Sequence, residues 1–157
     1  MRHKKVEKRT IEPDKIYQNH LVAKFINSLM RSGKKTVAQK ILYDAFDILK
    51  EKKQDPVVVF EKAIQNVGPK QEVKPRRVGG ASYQVPAEVR GDRRISLAIR
   101  WLISATTSRS NKEFHTFSEK LASELLDASQ NQGMAIKKRD TVLRMAEANK
   151  AFAHFRW

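Results

Sequence analysis

The chain has 157 residues, with 32 lysines and arginines against 17 aspartates and glutamates, a formal charge of +15 and a pI near 10.2. A single domain of that length buries about two thirds of its unfolded surface, and a hydrophobic content of 40% supplies a core, which excludes global disorder. The absence of cysteine excludes disulfides and thiolate metal sites, and no apolar run approaches the roughly 20 residues that span a bilayer.

Residues 1–18 read as a basic arm. Arg2, Lys4, Lys5, Lys8 and Arg9 have no periodic apolar partners, Pro13 interrupts any helix, and no apolar signal core follows, so the expected location is cytoplasmic. Such an arm is either solvated or ordered by a nucleic-acid partner. The first helix carries two adjacent i,i+4 rows, Leu21, Phe25, Leu29 and Val22, Ile26, Met30, and stops at Ser32-Gly33. A second begins after Lys34-Lys35 and is expected to bury Val37, Ala38, Ile41, Leu42, Ala45, Ile48 and Leu49. Asp55-Pro56 supplies an N-cap with proline at the first helical position, so Val57–Phe60, strand-like alone, opens a third helix burying Phe60, Ala63, Ile64 and Val67.

Residues 72–89 then switch period. Two strand-like runs flank Gly79-Gly80, a dipeptide that accepts positive φ at both positions of a two-residue hairpin turn. Lys74, Arg76 and Arg77 lie on one arm, Tyr83 and Gln84 on the other. Cations beside an aromatic suit a surface that follows a nucleic-acid backbone and stacks on bases. A solvated hairpin fits equally well from these residues alone.

Gly91-Asp92 opens a fourth helix burying Ile95, Ala98, Ile99, Leu102 and Ile103, with Trp101 at its margin, and residues 106–111 read as a polar connection. Thr116 and Glu119 fit a capping box ahead of Leu121, Ala122, Leu125 and Leu126. After the break at residues 131–133, a last helix runs from about Met134 to Lys150 with Ile136, Val142, Leu143, Met145 and Ala146 as its apolar positions. The tail, residues 151–157, carries Phe152, Phe155 and Trp157, which suit the core, an RNA or a neighbouring protein. The expected architecture is mainly α: one domain over residues 1–157, a bundle of about six helices with one protruding β-hairpin.

Charge is segregated along the chain. Residues 1–37 hold 10 basic and 3 acidic side chains, residues 38–68 hold 5 of each, and residues 69–112 again hold 10 and 3. Residues 113–130 hold 1 and 4, and residues 131–157 hold 6 and 2. Basic blocks separated by a neutral and an acidic segment describe docking faces, with nucleic acid the first candidate polyanion and an anionic membrane the second. Enzyme chemistry finds no support. His3, His20, His115 and His154 are far apart, and Gly33-Lys34-Lys35-Thr36 fails as a phosphate loop because Ser28 stands where glycine is needed and Lys35 where Ser or Thr is needed. No cofactor or metal is expected.

The residues from Asp55 to Val67 and from Glu72 to Pro86, together with Gly91-Asp-Arg-Arg94, Trp101-Leu102 and the terminal Lys150–Trp157, resemble the signature of small-subunit ribosomal protein seven in its bacterial form. The resemblance spans essentially the whole chain in order. Pro75 departs from the small residue usual there, Gly68 from a larger one, and some members extend beyond the position of Trp157. The resemblance implies a primary 16S rRNA binder that nucleates the head of the small subunit, the 3′ major domain, and lies near the exit site. It implies contact with exit-site tRNA and mRNA, small-subunit proteins nine and eleven as neighbours and, in some members, repression of the protein's own operon. The candidate rRNA surface joins Arg2, Lys4, Lys5, Lys8, Arg9, Lys34, Lys35, Arg76, Arg77, Arg93 and Arg94. The candidate exit-site group is Gly79, Gly80, Tyr83, Arg144, Lys150, Arg156 and Trp157. A DNA-binding protein is the competing reading and a membrane-surface amphipath a weaker one, since the apolar stripes are core stripes closed by caps.

Overall fold

The computed structural model describes residues 10–155. Six α-helices, a two-stranded antiparallel ribbon and a terminal 3₁₀ helix follow one another in these residues. The order is α1 (His20–Leu29), α2 (Lys35–Glu51), α3 (Pro56–Val67), β1 (Gln71–Val78), β2 (Ala81–Glu88), α4 (Gly91–Ser108), α5 (Phe117–Ser129), α6 (Met134–Ala148) and the 3₁₀ helix Lys150–Phe155.

Local chemistry sets the helix starts. The Asn19 side chain accepts from the Leu21 N–H at 2.8 Å and donates to Glu61 at 2.6 Å, tying the start of α1 to α3. Asp55 accepts from the N–H groups of Val57 and Val58 ahead of Pro56. Before α5 the expected capping box forms, Thr116 accepting from the Glu119 N–H and Glu119 from the Thr116 N–H. Each interaction satisfies an N–H that has no partner inside its helix.

In the core α5 packs on α2, α3, α4 and α6, and α1 adds Val22, Phe25, Ile26 and Leu29 against α2 and α4. Phe25, Phe46 and Phe60 interlock at its centre, with Phe60 edge-on to Phe25 at 5.4 Å and to Phe46 at 5.6 Å between ring centroids. Several expected apolar positions lie outside it. Val37 is 52% exposed, because one residue before Ala38 rotates a side chain about 100° off the buried row of Ala38, Leu42, Ala45 and Leu49. Met145 is 45% exposed; α6 buries only Ala135, Ile136 and Ala146 and leaves Val142 and Leu143 half-covered.

Part of the expected arm is pinned. Asp14 is buried and accepts from the N–H groups of Ile16 and Tyr17 and from the Tyr43 hydroxyl at 2.7 Å, while Tyr17 packs edge-on against Phe46. The start of the expected polar connection is helical instead. α4 runs on to Ser108, and Thr106, fully buried there, satisfies its hydroxyl on the Leu102 carbonyl oxygen at 2.8 Å.

Arg109 then turns inward. Its Nε donates to Glu124 at 2.7 Å, Nη1 to the Ser123 hydroxyl at 2.9 Å, and Nη2 pairs with Glu124 and Asp127. Glu124 also accepts from the Ala135 N–H at 3.0 Å, and Lys120 donates to the Arg109 carbonyl oxygen at 2.6 Å. The loop from α4 to α5 and the start of α6 are therefore fixed to the acidic helix, and the buried Glu124 is satisfied on several sides.

Candidate nucleic-acid interface

The ribbon forms as the alternation predicts, one residue earlier at each end. Its register pairs Glu72 with Ala87, Lys74 with Val85, Arg76 with Tyr83, and Arg77 with Ser82. Gly79 and Gly80 form the turn with φ of +58° and +89°, a combination that suits glycine at both places. Neighbouring strand residues point to opposite faces, so Arg76 and Arg77 serve opposite sides of the ribbon. Both are exposed, and neither makes a hydrogen bond or ion pair among the described residues.

On the Arg76 side, Lys74, Arg76, Arg90 and Arg93 surround a groove of about 460 Å³ with Glu88 at its edge. Arg93 and Arg94, adjacent in the first turn of α4, have different tasks. Arg93 makes a bidentate pair with the buried Glu72, Nε to Oε1 at 2.7 Å and Nη2 to Oε2 at 2.8 Å, and Lys74 approaches the same carboxylate at 3.3 Å. The Arg93 bond, helped by Lys74 against partial burial, holds the Glu72 carboxyl below its usual range. Arg94 turns the other way and donates to the carbonyl oxygens of Gly68 and Gln65 at the end of α3. A cation there complements the helix dipole.

The outer face of α4 joins this groove to the rest of the surface. Arg93, Ser96, Arg100, Ile103 and Thr107 succeed one another at three- and four-residue spacing. Ser96, Arg100 and Ile103 line a groove of about 470 Å³ against Lys24, Asn27 and Ser28 of α1. Ile103 and Thr107 line a further groove whose rim carries Arg31 and Lys34. The turn between α1 and α2 displays Lys34 and Lys35 in the open, with Ser32 and Gly33 at positive φ. One stripe of α4 thus runs from the ribbon base to the Lys34 turn.

Sequence alone did not single out Lys24, Arg90 and Arg100. For two of them the signal was helical phase, Lys24 four residues before Ser28 and Arg100 four after Ser96, each polar row flanking a buried one. Of the exit-site group, Tyr83 sits under the chain terminus, its ring 5.3 Å from Phe152 and 5.2 Å from Phe155. Phe152 and Phe155 thus fold onto the ribbon. Arg144 and Lys150 are exposed on α6 and the 3₁₀ helix. Arg2, Lys4, Lys5, Lys8, Arg9, Arg156 and Trp157 lie outside the described residues. Among the described residues no group of three or more His, Cys, Asp or Glu is placed to hold a metal ion, and no helix is long and apolar enough to cross a membrane.

Fold and surface together define a small, strongly basic helical scaffold with a projecting ribbon. The chain belongs to the ribosomal protein S7p/S5e family, whose model matches residues 1–150. It is 59% identical over 157 residues to small ribosomal subunit protein uS7 of Sorangium cellulosum, covering 99% of each chain. It is 56% identical over 158 residues to the same protein of Thermotoga neapolitana, covering 100% of each, and 56% identical over 157 residues to that of Desulfatibacillum aliphaticivorans, covering 99% of each. The chain is a structural protein of the small ribosomal subunit, within the cytoplasmic ribosome, and not an enzyme.

Proposed function

We propose that this chain is a primary binder of 16S rRNA that nucleates assembly of the subunit head, the 3′ major domain. The observation that carries the reading is the α4 stripe, which connects the cations of the ribbon base, the α1–α4 groove and the Lys34-Lys35 turn into one face. Dispersed cations on a broad face suit the backbone shape of a folded RNA junction better than a single base-reading helix does. The residues of the interface are Lys24, Lys34, Lys35, Lys74, Arg76, Arg77, Arg90 and Arg100, with Arg2, Lys4, Lys5, Lys8 and Arg9 extending it. Arg93 and Arg94 order the base of the ribbon and the end of α3 beneath it.

The turn at Gly79-Gly80, with Tyr83, Arg144, Lys150, Arg156 and Trp157, is proposed to face the exit site and its tRNA and mRNA. Small-subunit proteins nine and eleven are the proposed neighbours, and repression of the chain's own operon is the proposed secondary role. Replacing Lys34, Lys35, Arg76 and Arg77 together by glutamine tests the main claim. Affinity for an isolated head-domain fragment of 16S rRNA should fall by orders of magnitude. An unchanged dissociation constant at physiological salt, or preference for duplex DNA over that fragment, overturns it.

A further inference from the structure

α2 carries two apolar faces. The first, Ala38, Leu42, Ala45 and Leu49, is in the core. The second, Val37, Ile41, Asp44, Ile48 and Glu51, recurs at alternating four- and three-residue steps and is only half-covered: Ile41 and Ile48 lean on the core, while Val37, Asp44 and Glu51 are exposed. Two grooves lie along it. One of about 360 Å³ passes over Val37, Ile41, Ile103 and Phe117, with Arg31 and Lys34 at its rim. The other, about 510 Å³, passes over Ile41, Ile48 and Phe117, with Asp44, Asp47 and Glu51 at its rim. Because they share Ile41 and Phe117, they form one apolar trough, cationic at the start of α2 and anionic at its end.

We propose that this trough is the docking site for an amphipathic helix of another small-subunit protein. The apolar face of the incoming helix meets Val37, Ile41 and Ile48. Its lysines or arginines meet Asp44 and Glu51, beside the Asp47–Lys50 ion pair, and its carboxylates meet Arg31. This is the helix-in-groove mode, and the charge gradient along the trough fixes the direction in which the helix lies. RNA is a poor occupant of the anionic end, whose carboxylates repel phosphate. A second copy is opposed by the formal charge of +15 on each chain. The inference rests on membership in the small subunit and not on which RNA the chain binds.

The chain has no cysteine, so single thiols report cleanly. Val37→Cys and Asp44→Cys place a thiol at each part of the trough, both at exposed positions that leave the core intact. Maleimide reactivity is read in the free protein, in the binary complex with a head-domain rRNA fragment, and in the assembled subunit. The Asp44 thiol should react freely in the first two states and lose reactivity in the third. The Val37 thiol, which shares its groove with Lys34 of the proposed RNA face, should react in the free protein and lose reactivity in the subunit. A short crosslinker at Asp44→Cys in the assembled subunit should join a lysine- or arginine-rich, apolar-faced segment of one other ribosomal protein. Thiols that stay reactive in the subunit, an Asp44 thiol already protected by rRNA alone, a crosslink from Asp44→Cys to RNA, or a crosslink to a second copy of this chain each overturn the proposal. Loss of the binary complex would instead count against the RNA-binding reading.

Discussion

The Arg94 guanidinium donates to the Gly68 carbonyl oxygen at 2.9 Å, so a side chain from the first turn of α4 closes the last turn of α3. That closure explains the glycine. A β-carbon on Gly68 would stand 2.7 Å from Arg94 Cγ, and the backbone there, at φ −65°, needs no glycine for its own sake. Gly68→Ala should displace Arg94 and cost about 1–2 kcal/mol through the hydrogen bonds it breaks. In an Arg94→Ala background the same substitution should cost much less. Urea denaturation of the four proteins reads the coupling, and additive effects would separate the glycine from the arginine.

Arg109 and Glu124 should dominate the stability of the α4–α5–α6 junction. The Glu124 side chain is 0% exposed and that of Asp127 is 38% exposed, although both bind the same guanidinium. Glu124→Ala leaves Arg109 short of a carboxylate and the Ala135 N–H without its acceptor. The expected loss is about 3–5 kcal/mol by urea denaturation. Asp127→Ala should cost distinctly less, because water reaches the gap it leaves.

Tyr43 sets an alkaline limit. Burial first, then its bond to the Asp14 carboxylate, pushes its hydroxyl from 10.0 up to about 12. The folded state therefore binds this proton more tightly than the unfolded chain does. Its contribution to stability is complete below pH 10, where both states are protonated, and is lost as pH rises through about 12. In an ultraviolet difference titration of the three tyrosines, one phenol should ionise late. Tyr43→Phe should abolish that phase and flatten the alkaline loss of stability.

Salt dependence should sort the arginines. Arg76→Gln, Arg77→Gln and Arg100→Gln should each lower the slope of log affinity against log salt by about 0.7–0.9 for each phosphate that is no longer neutralised. Arg93→Gln should act first on the ribbon. It releases Glu72, whose depressed carboxyl contributes stability above the ordinary carboxylate range that is lost as pH falls through the depressed value. Without Arg93 that acid-side loss should shrink, read as ribbon amide exchange against pH. An Arg93→Gln protein with normal exchange but a reduced salt slope would instead make Arg93 a direct phosphate ligand.

What could be read in the sequence was whatever closes within a few residues. Asp55-Pro56, the Thr116–Glu119 box and Gly79-Gly80 each carry their partners nearby, and all three form. Arg109 read as part of a polar connection because Glu124 and Asp127 lie 15 and 18 residues further on. Asp14 looked like arm because Tyr43 is 29 residues away. Val37 and Met145 were placed inside by hydrophobicity, although their phase on α2 and α6 turns them out. For the interface, the cations were visible but their grouping was not, since which face of α4 borders α1 and the ribbon is a property of packing.

The ribbon is built early in the chain and supported late. Residues 71–88 rest on α6 and on the 3₁₀ helix, whose Phe152 and Phe155 cover Tyr83. A two-stranded ribbon without such support is marginal in water. During synthesis, which delivers the N-terminal elements first, the cations of α1, α2 and α4 emerge before the residues that hold the ribbon in place. A nascent chain therefore displays the cations of α1, α2 and α4 before its ribbon is ordered, and α6 with the 3₁₀ helix completes that surface.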